Sequence, residues 1–275
     1  MDNLQFCSVC ENKKFDRNRG IVCGITNEKP DFVNECPDYI ANEDAKTKLT
    51  NHISKIKPNA KRADIAQLLL WIIIGLDFIG IISSYLQYNL LSEALNGVYI
   101  TDSEAEINDM REILVGLTQT LANIICIITF IMWFRRGYFN LNERTSCDKA
   151  EGWAAGAWFV PIISLFYPYQ IMKEMWIKTT NMLKAKLPEF KTQTKTTIIG
   201  VWWTIWIISN YIGNYTFRVI IKADTIEGLM DSSMADIIQS LINIPLAYLA
   251  IKMIKTYNVK EVALAKAEEE QLLKL

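Results

Sequence analysis

"WFVPIISLFYPYQIMKEMW" (158–176) decides the fold of this chain. It is apolar enough to sit in a membrane. Yet it carries Pro161 and Pro168 and runs into Lys173 and Glu174. Whether it crosses a bilayer sets the topology of everything after it.

Four other runs read as spanning helices: 65–88, 112–134, 198–221 and 234–255. Each has the ~20 mostly apolar residues that cross ~30 Å of hydrocarbon. "LLLWIIIGLDFIGII" and "IIGVWWTIWIISNYIG" are apolar all round, with no polar stripe at the helical period. Lys and Arg in the short flanks orient the spans, because cytoplasmic loops are enriched in them. Lys55, Lys57, Lys61 and Arg62 precede the first span, and Arg135, Arg136, Arg144 and Lys149 follow the second. Lys178, Lys184, Lys186, Lys191 and Lys195 precede the third. Lys252, Lys255 and Lys260 mark the end of the fourth. The two intervening loops are acidic, with Arg111 and Lys222 at their edges. Both flanks of 158–176 are therefore positive. A segment that enters and leaves from one face keeps every loop in register with the rule, whereas a fifth crossing breaks it for all later loops. The prolines agree, since each removes an N–H and disfavours helix in the residue before it. Residues 152–175 are read as re-entrant or interfacial, with a Pro-kinked fifth span as the alternative.

The expected architecture is an all-α membrane protein with four transmembrane helices and a Pro-broken segment. A small cysteine-rich, zinc-ribbon-like module precedes it. The divisions are the module at 1–39, a polar linker at 40–63, the membrane domain at 64–257 and a cytoplasmic helical tail at 258–275. The expected location is a bacterial inner membrane, with both termini cytoplasmic and no secretory leader. Net charge is −1, so no basic field points to nucleic acid.

Two stretches carry a family resemblance. "FIMWFRRGYFNL" (130–141) followed by "GWAAGAWFVPIISLFYPYQIMKEMW" (152–176) resembles the signature of a bacterial membrane family known as domain of unknown function 4328. Trp133, Arg136, Tyr138, Asn140 and Leu141 match its first step. Trp158, Phe159, Pro161, Ile162, Pro168, Tyr169, Met172, Glu174 and Trp176 match its second. The resemblance spans about 65–257. It implies a membrane fold and no reaction, so no catalytic residue is carried over.

The N-terminus spaces Cys7, Cys10, Cys23 and Cys36 as C-x2-C-x12-C-x12-C. Four thiolates satisfy tetrahedral zinc, and C-x2-C is the spacing of one metal knuckle. Cys23 and Cys36 do not form a second knuckle. A structural Zn²⁺ is the leading expectation, with an iron–sulfur cluster or metal-free thiols as alternatives. This stretch also resembles a short cysteine module found on assorted bacterial membrane proteins. The lone histidine, His52, falls in the linker and reads as solvated.

Asp77, Asn123, Asn210 and Asn243 each fall near the middle of one span. Polar residues at that depth usually face the bundle interior. They read either as interhelical hydrogen-bond glue at ~0.6–2 kcal/mol per contact or as an ion relay centred on Asp77. Arg136 and Glu174 come from the two family-like stretches and are expected to pair, anchoring the re-entrant segment. There is no P-loop, HExxH or GxSxG, so no enzyme motif offers itself. The function expected is a non-enzymatic membrane anchor, scaffold or sensor in contact with the lipid bilayer, with the cysteine module open to a cytoplasmic protein partner. A small transporter or channel using Asp77 and the broken helix is the alternative.

Overall fold

A computed structural model describes residues 3–32, 36–221 and 225–273. Lys222, at the edge of one acidic loop, and the side chain of His52 lie outside what is described. The elements in order are α1 (Asn3–Ser8), β1 (Lys13–Asp16), β2 (Gly20–Cys23), α2 (Glu43–Ser54), α3 (Ala60–Leu95), α4 (Asp102–Arg144), α5 (Trp153–Gly156), α6 (Pro161–Ser164), α7 (Tyr167–Lys186), α8 (Thr197–Ile221) and α9 (Ile226–Leu273).

The N-terminal unit is a two-stranded hairpin between two cysteine-bearing turns. β1 pairs antiparallel with β2, Lys13 opposite Cys23. Asp16 Oδ1 accepts the backbone N–H groups of Asn18 and Arg19, and Gly20 takes φ +80°, so the turn closes where only glycine is unstrained. Gly24 donates its N–H to Asn12 O at 2.6 Å. A Cβ there would lie 2.8 Å from the same oxygen, so that approach also requires glycine. Val9 and Val22 are buried, and Phe6 meets Phe32 and Tyr39 edge-on. The bridge between Cys10 and Ala41 carries this unit past residue 39 into the expected linker. That linker also holds α2, whose Asn42 Oδ1 accepts the Ala45 N–H as an N-cap.

The helices that follow form one antiparallel bundle. α3, α4 and α9 are each long and apolar enough to cross a membrane. α8 has 25 residues, about 37 Å of helix, but its three Trp, two Tyr and two Asn keep it from meeting the same measure of apolarity. The expectation of four comparable spans therefore becomes three strongly apolar helices and a fourth rich in aromatic and amide side chains.

α3 packs most extensively on α9, with α4 against α3 and α8 against α9. The register is fixed at both ends. At one end Asn59 reaches Trp133 O and Glu261. At the other Arg111 Nε donates to Ser83 Oγ at 3.0 Å. Because the chain termini belong to the first of these, we call it the terminus-side end and the other the loop-side end. α4 begins at the loop side with a capping box, Thr101 Oγ1 accepting from Glu104 N and Glu104 Oε2 accepting from Thr101 N.

All three apolar helices overrun ~30 Å of hydrocarbon, and α4 and α9 do so toward the terminus side. There α7 joins them. It buries Ile171, Met172, Met175, Trp176, Thr179, Thr180 and Leu183, one helical face, against α4 and α9. The expected helical tail packs into a three-helix unit: Tyr257, Lys260, Glu261, Leu264, Glu268 and Gln271 are all buried. α9 runs through Pro245 without interruption.

Candidate functional site

Three sets of residues were marked by the sequence. The four N-terminal cysteines line one small cavity of about 150 Å³ with Val22 and Pro37. Burial raises the Cys7 thiol to about 11, and Cys10, Cys36 and Cys23 push it the same way, as closely grouped thiols do. Cys23 behaves oppositely. Its sulfur accepts the backbone N–H groups of Thr26 and Ile25, which favour the thiolate and lower its pKa. The two amides lie two and three residues downstream of the sulfur they reach. Thr26 stands where a second cysteine would complete a C-x2-C knuckle. Among the described residues, no group of three or more His, Cys, Asp or Glu side chains is spaced to hold a metal ion. The thiols share a cavity without ligating geometry.

The second set divides. Asn123, Asn210 and Asn243 all line a cavity of about 560 Å³ within the helical bundle. Asp77 is buried on α3 but does not line it, and its Oδ2 meets no hydrogen-bond partner. Of the three asparagines only Asn243 joins two helices, accepting from Ser209 Oγ on α8 at 2.9 Å. Asn123 and Asn210 donate back to Gln119 O and Trp206 O one turn earlier on their own helices. Ser209, Asn214 and Gln239 complete the polar lining. The i, i+4 pairs Asn210–Asn214 and Gln239–Asn243 were the available signal for them.

The third set is the family-like segment. It breaks where its prolines stand: Pro161 opens α6 and Pro168 sits in the first turn of α7. Trp158 lies at the turn, edge-on to Phe130, Phe134 and Trp206 at 5.6–5.9 Å. Trp203 Nε1 donates to Leu165 O, and Tyr169 lies against the same indole. Trp206 is eight residues into the expected third span, so the tip reaches about 12 Å past that span's start. Phe159 and Ile162 are 74% and 75% exposed at this tip.

Glu174 does not pair with Arg136. It takes Tyr138 Oη at 2.9 Å, the Asp148 N–H at 2.8 Å and the ammonium of Lys178, one turn along its own helix. Arg136 lies over the Phe139 ring, and Arg135 pairs with Glu151. The i, i+4 partner lay closer than any from another helix, and Tyr138 brings the interhelical contact. Trp176 is fully buried with Lys260 Nζ over its face at 3.6 Å.

Sequence reasoning missed the centre of the terminus-side end. Glu261 accepts from Asn59 Nδ2 at 3.0 Å and Asn140 Nδ2 at 2.7 Å, and burial pushes its carboxyl up against both hydrogen bonds. Arg144 pairs with Glu268 at 3.0 Å, both side chains nearly inaccessible. Lys260 donates to Thr180 Oγ1 and Gln193 O, and burial, helped by Lys184, brings it down to about 7.

No curated protein and no solved structure matches the chain. The cysteine unit and α3 lie outside the family match, which begins at residue 96 rather than near 65. That match covers 96–259, from the α3–α4 loop into the terminus-side part of α9, and the chain belongs to the family described as a domain of unknown function, DUF4328.

Proposed function

We propose that this protein is a non-enzymatic membrane unit that holds a four-thiol zinc module at the cytoplasmic face of a bacterial inner membrane, where the module engages a protein partner. α3, α4, α8 and α9 are its four crossings. Residues 152–175 enter and leave from the side of both termini, in keeping with positive charge on both flanks. The observation that carries the metal reading is the lining of one cavity by four thiols, one of them already accepting two backbone amides. Ligation draws the four sulfurs to ~2.3 Å from a common centre and deprotonates them. A structural metal also suits a unit whose hydrophobic interior is a few side chains.

Elemental analysis of the full-length protein, purified without chelator, tests this. One zinc per chain is expected, falling to background in Cys23→Ser and Cys36→Ser. Metal-free wild-type protein would end the zinc reading, and iron with visible absorbance would replace it with a cluster. Of the two features behind the transport alternative, the broken segment lines the bundle cavity through Trp158 and Phe159, whereas Asp77 does not.

A further inference from the structure

The cavity between the helices is built for an occupant of definite chemistry. Its lining comes from α3, α4, α8 and α9, with Trp158 and Phe159 of the broken segment. On α8 it runs from Trp202 to Asn214, about 18 Å along the helix. At about 560 Å³ it is in the size range of small-molecule sites. The ends differ. The terminus-side end is aromatic, with Phe130, Trp158 and Trp206. The middle of the bundle supplies amides from three helices. Among the described residues no Asp, Glu, Lys or Arg lines it, so an ion or a charged headgroup finds no counter-charge there.

One atom narrows the choice further. Gln239 Nε2 donates to both Ser209 Oγ and Asn243 Oδ1 at 2.9 Å. Its Oε1 is buried and has no donor. A buried acceptor left unmade is costly, and in hydrocarbon no bulk water relieves it. Gly213 faces it: a Cβ there would lie 3.6 Å from Oε1, so the absent side chain keeps the space beside the oxygen open. The orphan asks for a donor, and the aromatic end asks for an apolar body.

We propose that this groove binds an uncharged, membrane-soluble alcohol or amide, whose O–H or N–H is donated to Gln239 Oε1 while its apolar body lies along Trp206 and Phe130. The site is independent of the cysteine module. Gln239 lies five residues into the expected fourth span, so the donor sits toward the loop-side end of the groove and the apolar body runs inward along the bundle.

The test uses full-length protein in nanodiscs and a diazirine analogue of farnesol, an uncharged prenyl alcohol, with crosslinks mapped by mass spectrometry. Crosslinks are expected on groove residues of α4 and α8. Unlabelled farnesol should compete at least tenfold better than farnesyl methyl ether, which keeps chain and oxygen but lacks the donor. Gln239→Leu, nearly isosteric, should erase that preference while labelling itself persists, thermal unfolding confirming that the bundle still folds without the bonds to Ser209 and Asn243, and Gly213→Leu should fill the groove and abolish labelling. Equal competition by alcohol and ether in the wild type would overturn the proposal. So would crosslinks spread evenly over the outward face of α4, the pattern of bulk lipid above a water-filled groove.

Discussion

The two ends of the helical bundle are built differently. At the terminus side, Trp133, Phe134, Tyr138, Trp176 and Tyr257 are fully buried, and the charged groups among them are paired or hydrogen-bonded. Through the apolar stretches the packing thins. Only 6% of the apolar window of α4 is buried within the protein, against 33% in α3 and α9. Ile113, Leu117, Leu121 and Ile128 all face outward. The first region resembles the interior of a water-soluble protein, where burial removes apolar surface from water. In the second, lipid tails are as apolar as leucine, so close packing is not demanded and a groove can persist. The family-like residues Trp133, Tyr138, Asn140, Glu174 and Trp176 gather at the dense end, which suits a pattern that specifies packing.

The contrast is broken most readily by truncation. Trp176→Ala should cost about 3–5 kcal/mol, read as a large drop in unfolding temperature in detergent. Asn140→Ala takes one of two donors from buried Glu261 and should cost about 1–3 kcal/mol, with Glu261→Gln restoring part of it. A smaller effect sharpens the electrostatics. Burial depresses Lys260 to about 7, so from pH 7 up to the ordinary lysine value the unfolded chain holds that proton more tightly. Stability should rise with pH across that window, and Lys260→Met should flatten the rise. Smallest of all, Leu117→Ala on the outward face of α4 should shift stability by less than about 0.5 kcal/mol. A loss there comparable to Trp176→Ala would erase the distinction between the two ends.

Much of this was legible in the residues. Long apolar runs place α3, α4 and α9 because nothing else accommodates ~20 such residues, and the prolines mark the break between α6 and α7. What escaped was hidden by polarity. Tyr257, Lys260, Glu261, Leu264, Glu268 and Gln271 recur at the spacing of one helical face, yet four of the six are polar and read as solvent-facing. α2 lies inside the expected polar linker, although Asn42, Glu43 and Asp44 form a regular N-terminal signal. Glu174 finds Lys178 at i+4 on its own helix in place of the expected Arg136. Asp77 is the one ionisable member of the expected polar cluster, whereas the cavity gathers the uncharged amides.

In the proposed topology the proline-broken segment turns back toward the end it came from, roofing the groove without crossing. Cysteine accessibility in intact cells tests it directly, using a membrane-impermeant maleimide on Ile162→Cys at the exposed tip and Tyr99→Cys in the loop-side turn, 75% and 84% exposed. Tyr99→Cys should label from outside, and Ile162→Cys only after the membrane is opened. Labelling of Ile162→Cys in sealed cells would mean that the segment crosses, and every later loop would change sides.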